Sequence, residues 1–341
     1  MTSRLRLEAE VMTLRTRHPF IIARHGFDEI RTVRVILRDA DGREGIGEAT
    51  PQKFYGETPE TALAALDFYA PRLPEDPFHL ERAEDDLASA LTGNASVRAA
   101  LSTALHDLVG KRLGVPLYRL WGLDPAASPL STFTIGIDTP EKMRQKVREA
   151  AEYPVLKVKL GTADDLAILR AIREETSKEL RVDANCAWTA VQTIRMLPVL
   201  EEFGVTVLEQ PVARADLDGF AQIRRHARIP LIADESCHIA SDIPLLADRV
   251  DGVNIKLAKT GSLREALRMV AVARAHHLMV MLGCMVESSI AITAAAHLAP
   301  LMDLVDLDGA ALLAEDPWAG ATIEQGVLRL PDEPGLGVRP R

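Results

Sequence analysis

Cysteine is nearly absent from this chain: Cys186, Cys237 and Cys284 are the only three among 341 residues. An odd count with no CxxC spacing excludes a disulfide framework and a structural zinc site. The three read as small buried or half-buried thiols near strand ends. A basic excess is lacking too. Lys and Arg number 40 against 49 Asp and Glu, and the formal charge of −9 argues against nucleic acid as the main partner. No apolar run reaches membrane-spanning length, and the opening MTSRLRLEAEVMTLRT alternates and carries charges where a signal peptide would be continuously apolar. The expectation is a cytoplasmic protein with no membrane partner. A dinucleotide fingerprint is also missing, because Gly42, Gly45 and Gly47 lie between strand-like segments and not at a strand-to-helix turn.

What is present divides into two regimes. Up to about residue 50, LRLEAEVMTL, TVRVILRDADG and EGIGEAT read as strands, with Asp41-Gly42 as a hairpin signal between the last two. From about 58 to 122 the pattern turns helical, beginning at Thr58-Pro59 as N-cap and first helical residue. A short meander followed by helices predicts a compact α+β domain over 1–125. From Pro129, strand-like and helical segments alternate: STFTIGI, VLKVKL, LRVDAN, VTVLEQP, PLIADES, DGVNIKL, LMVMLGC and LVDLDG, seven of them followed by plausible helices. Such alternation implies parallel strands, and eight of them close naturally into a barrel over 126–320. The tail 321–341 lacks a strong final helix and is expected to pack back on the first domain.

Five of those strands end in charge. In order they carry Lys157 and Lys159, Asp183, Glu209, Asp234 and Lys256. Charges are poorly tolerated in buried strands, so a charge recurring at strand ends implies one shared site. A barrel explains charges all along the series, whereas an open sheet gathers its site at one switch point. Asp183, Glu209 and Asp234 fall on successive strands, and three converging carboxylates suit magnesium, which prefers oxygen ligands. In PLIADES the adjacent Asp234 and Glu235 face opposite ways, and alternation alone leaves the ligand open between them. Asn185 and Gln210 sit beside the ligands as candidate donors to them. Lys157 and Lys159 share a strand face, and desolvation with like-charge repulsion is expected to push such a lysine towards neutrality, fit to act as a base. Lys256 lies across the barrel mouth from Lys159. Two bases facing each other over a metal-bound carboxylate suggest removal of an α-proton from one face and its return from the other, through an enediolate.

Together KVK, DAN, EQP, DES and NIKLAKTGS resemble the enolase superfamily, and within it the muconate-lactonising subgroup, over essentially the whole chain. The resemblance implies a (β/α)7β modified TIM barrel with an N-terminal α+β capping domain, and it selects Asp234 as the third ligand. FIIARHG, ADESCH, LGCM and DLDGA are more narrowly similar to dipeptide epimerases, especially L-Ala-D/L-Glu epimerases. That likeness implies a dipeptide substrate and Mg2+, with Lys159 and Lys256 as catalytic bases. It implies Asp306 and Asp308 for the substrate's α-ammonium, and Arg24, in a mobile capping-domain loop, for a glutamate side-chain carboxylate. Lys157 is expected to bind substrate. Other dipeptide specificities, or an o-succinylbenzoate synthase or muconate cycloisomerase type of activity, are the alternatives. Two departures stand out: Ser262 replaces the second glycine of KTGG, and Ala310 follows DLDG where relatives often have proline. Outward-facing barrel helices are compatible with a homo-oligomer.

Overall fold

A computed structural model describes residues 5–341. Strands β1 (Arg6–Ile22), β2 (His25–Arg38) and β3 (Glu44–Ala49) form an antiparallel sheet in that order. The β2–β3 turn is built by Asp39, whose Oδ1 accepts from the Asp41 and Arg43 amides, with Gly42 at φ 80°. The β1–β2 turn differs from expectation. Instead of a loose loop around Arg24, the strands stay paired to Ile22↔His25, because Phe20 and Phe27 face each other across the ribbon.

Helices α1 (Pro59–Tyr69), α2 (Leu80–Ala90) and α3 (Ala95–Leu113) follow. Thr58 caps α1 as its spacing predicts, accepting from the Thr61 amide while Thr61 Oγ1 accepts from the Thr58 amide. Val33, Val35 and Leu37 of the sheet pack against Leu101, Leu105 and Leu108 of α3. That approach needs Gly45 and Gly47, since a Cβ on either would come within 2.0 Å of the Ala104 or Ala100 carbonyl oxygen.

A short helix α4 (Leu117–Leu120) leads into the alternating half: β4 (Phe133–Ile135), α5 (Pro140–Glu149), β5 (Val155–Lys159), α6 (Asp165–Glu175), β6 (Glu179–Asp183), α7 (Ala190–Glu202) and β7 (Val205–Glu209). It continues through α8 (Leu217–Arg224), β8 (Leu231–Ala233), α9 (Ile243–Leu246), β9 (Gly252–Ile255), α10 (Leu257–Thr260), α11 (Leu263–Ala275), β10 (Met279–Gly283), α12 (Ser289–Ala296) and β11 (Leu304–Asp306). The eight strands are parallel and neighbour one another in chain order. The ring closes where Ser131 bridges Val305 and the Thr132 amide donates to the Val305 carbonyl.

Strand alternation divides the barrel into two cores. Leu156, Val158, Val182, Leu208, Val253, Val280 and Val305 face the helices. Val207, Ile232, Met281 and Leu304 form a separate small cluster inside the ring. Two residues above that floor on each of those four strands stand Glu209, Asp234, Gly283 and Asp306. The chain beyond β11 returns to the first domain: the Leu336 amide donates to Asp107 on α3 and Tyr118 donates to Asp332. Among the described residues no helix is long and apolar enough to cross a membrane.

Candidate active site

The interior floor decides which charges converge. Asp234 follows Ile232 at a spacing of two and so points inward, whereas Glu235 turns aside. Asp183, Glu209 and Asp234 are buried and bring ligand oxygens within 4.8 Å of one another. Three hard anionic oxygens at that spacing, with no thiolate or imidazole among them, fit magnesium.

The lysines flank this triad in strand order. Lys159 Nζ lies 2.6 Å from Asp183 Oδ2, and Lys256 Nζ 2.6 Å from Asp234 Oδ2, with Glu209 between. Lys157 sits lower in the ring, 2.7 Å from both Glu209 Oε2 and Asp306 Oδ2 and 3.5 Å from Asp183.

The drift towards neutrality expected of the Lys157–Lys159 pair is not seen at Lys157. Burial alone lowers an ammonium, but Asp306, Glu209 and Asp183 outweigh it and hold Lys157 well above the ordinary lysine value. Asp234, helped by Glu209 and Glu235, does the same for Lys256. The carboxylates around Lys157 outweigh both its burial and the neighbouring cation. Burial pushes Glu209 up to about 7, aided by Asp183 and Asp234 against Lys157. Asp234 goes the other way: its burial is overcome by Lys256 and Lys259, which hold it well below the carboxylate range.

Lys259 and Asn254 were not legible as site residues. The short helix α10 folds Lys259 back so that its Nζ reaches Asp234 Oδ1 and the Asp234 carbonyl, both at 2.6 Å. Asn254, two residues before Lys256 on the inward face, donates from Nδ2 to Glu209 Oε1 at 2.8 Å. The inward spacing of Asn254 and Lys256 was the available signal. Asn185 donates to Asp183 through its amide and Nδ2, as a donor beside a ligand should. Gln210 instead accepts, taking the Asp234 and Ser236 amides on Oε1 and so fixing the backbone of the third carboxylate.

Asp306 and Asp308 share the inward face of the eighth strand end. Thr132 donates to Asp306, whose other oxygen meets Lys157, and the Thr134 amide donates to Asp308 at 2.5 Å. Burial would raise both. Lys157 and Lys159 reverse this at Asp306 and bring it down to about 2, whereas Asp308, facing the charge of Asp306, rises to about 7. Arg24 reaches over the triad from the β1–β2 hairpin. Its guanidinium donates to Glu235 at 2.6 Å and to the Asn185 carbonyl at 2.7 Å, and lies over the Phe54 ring.

A cavity of about 810 Å3 joins these groups; Arg24, Lys157, Lys159, Lys256, Asp306 and Asp308 line it. Its capping-domain side adds Phe20, Phe27 and Ile30, with Leu312 from the barrel end. Of the two departures from the KTGG and DLDG patterns, Ser262 caps α11 by accepting from the Glu265 amide at 3.0 Å. Nothing in the structure explains Ala310.

Residues 6–122 match the mandelate racemase / muconate lactonizing enzyme N-terminal domain, and residues 141–341 match the enolase C-terminal domain-like family. The chain belongs to the mandelate racemase / muconate lactonizing enzyme family. Within that family it is 39% identical to the L-Ala-D/L-Glu epimerase of Bacteroides thetaiotaomicron, over 95% of this chain and 85% of that one. It is also 39% identical to an L-Ala-D/L-amino acid epimerase of a Maribacter species, over 98% and 99%. The crystal structure of an Enterococcus faecalis dipeptide epimerase, complexed with Mg and L-Leu-L-Tyr, superposes with a TM-score of 0.93 at 31% identity, covering 98% of this chain and 99% of that one.

Proposed function

We propose that the chain is a magnesium-dependent dipeptide epimerase, acting on L-Ala-Glu and inverting the α-carbon of its C-terminal residue by proton transfer between two bases. The observation that carries this reading is a carboxylate triad flanked in strand order by Lys159 on one side and Lys256 on the other. Asp183, Glu209 and Asp234 would hold the cation. When bound, magnesium stabilises the negative charge that collects on a substrate carboxylate as its α-proton leaves.

The remaining roles belong to the chain itself. Lys157, fully charged and buried among the carboxylates, attracts the substrate carboxylate to the same corner. Asp306 and Asp308 receive the α-ammonium, whose binding favours the ionised form of both. Lys159 or Lys256, once neutral, takes the α-proton from its own face, and the opposite ammonium delivers one to the other face. Arg24 supplies a bidentate-capable partner for a glutamate side chain, already oriented by Glu235 and Phe54. An apolar second residue is the competing specificity, favoured by the wall of Phe20, Phe27, Ile30 and Leu312.

A dipeptide library incubated with enzyme and magnesium in D2O tests the reading. L-Ala-L-Glu is expected to gain one deuterium at the C-terminal α-carbon and to yield both isomers. No incorporation into any dipeptide would reject it. Lys159→Ala and Lys256→Ala are each expected to cut epimerisation by about 10²- to 10⁴-fold while the protein stays folded.

A further inference from the structure

Six of the seven inward positions around the barrel mouth from β5 to the end of β11 carry charge: Lys159, Asp183, Glu209, Asp234, Lys256 and Asp306. The exception is Gly283. It pairs with Asp306 on one side, and its predecessor Leu282 pairs with Ile255, the residue before Lys256, on the other. Gly283 does not adopt a positive φ, so the backbone here does not call for glycine. Space does. A Cβ at this position would stand 2.7 and 2.8 Å from the Asn254 amide oxygen and nitrogen and 2.9 Å from Lys256 Cε.

The two neighbours differ in freedom to yield. Asn254 is fully buried, on a short side chain, and its Nδ2 is tied to Glu209 at 2.8 Å. Lys256 meets the added carbon near the tip of a long, flexible stem, and only its ion pair with Asp234 anchors Nζ. A methyl group at 283 therefore presses on both, and the freer lysine stem is displaced farther than the tied Asn254. We infer that Gly283 is a positioning residue for Lys256: the missing side chain is the groove in which that lysine's stem lies, aiming Nζ at one face of the substrate. This inference rests on the two-base reading above and adds a residue to it that touches no substrate.

The expected signature is one-sided. A reaction begun on the Lys159 face can still exchange its α-proton with solvent when Lys256 is misaimed, because Lys159 can return a solvent-derived deuteron to the same face. Lys256→Ala in D2O first identifies which isomer of the dipeptide depends on Lys256. In Gly283→Ala, exchange from that isomer is expected to fall about 10²-fold, the penalty typical of a misplaced reacting group, while exchange from the other isomer stays near the wild-type rate. Asn254, pressed at the same time, passes a smaller effect to Glu209, so magnesium affinity by calorimetry is expected to fall by less than about 10-fold while the protein stays folded, and Gly283→Ser to deepen the same asymmetry.

Equal loss from both isomers, no loss from either, magnesium binding weakened as much as exchange, or failure of Gly283→Ala to fold would each overturn the inference. Absence of exchange by the wild-type enzyme is a different result: it would remove the two-base reading, and this inference with it.

Discussion

At the scale of single residues, the buried lysine at 259 shows how a candidate metal ligand is held. Asp234 offers Oδ1 to Lys259 and Oδ2 to Lys256, and Lys259 also binds the carbonyls of Asp234, Cys237 and Asn254. Lys259 thus belongs to the framework, while Lys256 holds its oxygen by a single contact. Replacing Lys259 by Met keeps length and removes the charge. Magnesium affinity is expected to fall about 10- to 100-fold, measured by titration calorimetry. Retained affinity would mean that Asp234 needs no support. Arg24→Ala is the matching test of specificity: turnover of L-Ala-L-Glu is expected to fall relative to L-Ala-L-Leu, and an equal fall for both would leave Arg24 without a selective role. Most of this site was legible because inward charges at strand ends are costly unless shared. Lys259 was hidden, since one turn of helix returns it to a ligand and no strand alternation records that. Resemblance had to choose between Asp234 and Glu235, whereas the structure does so through the inward face of Ile232.

At the scale of elements, caps and turns were the most readable features because their chemistry is local. Thr58 before Pro59 specifies the start of α1, and its hydroxyl accepts the Thr61 amide at 3.2 Å. Thr58→Ala is expected to destabilise the protein by about 1 kcal/mol, measured by chemical denaturation. The β1–β2 hairpin was less readable. Its strand character comes from pairing across the ribbon, Phe20 with Phe27 and Ile21 with Gly26, and pairing partners are not visible in a strand taken alone. The same ribbon carries Arg24 to Glu235, so the segment expected to be a mobile loop is a tight hairpin turn whose arginine reaches the barrel.

At the scale of the whole molecule, two buried carboxylates meet where the first sheet joins the barrel. Glu48 on β3 accepts from Ser288 and the Ala291 amide, while Glu287 accepts from Thr50 and the Met285 amide. Burial raises both, and the charge of Glu48 helps push Glu287 from 4.5 to about 8, against the lowering effect of the Thr50 and Met285 hydrogen bonds and, less, of Lys256. The folded state therefore binds the Glu287 proton more tightly than the unfolded state does. Its contribution to stability is complete below pH 4.5 and is lost as pH rises towards 8. Glu287→Gln, neutral at every pH, is expected to flatten the fall of melting temperature across that window. An unchanged pH profile would show that Glu287 ionises freely in the folded protein. None of this was visible in GCMVES, because the partner carboxylate lies 239 residues earlier.

The return of the chain to α3 also has a consequence in time. Asp107 receives the Leu336 amide across 229 residues of sequence. At a synthesis rate of about 5–20 residues per second, roughly 10–50 seconds separate the appearance of acceptor and donor on the ribosome. Throughout that interval the carboxylate is met within the first domain by the Ile46 amide and Lys111, both on Oδ2. The nascent first domain must therefore leave Asp107 Oδ1 to water until the strap arrives, and that strap makes the last of these bonds that translation allows.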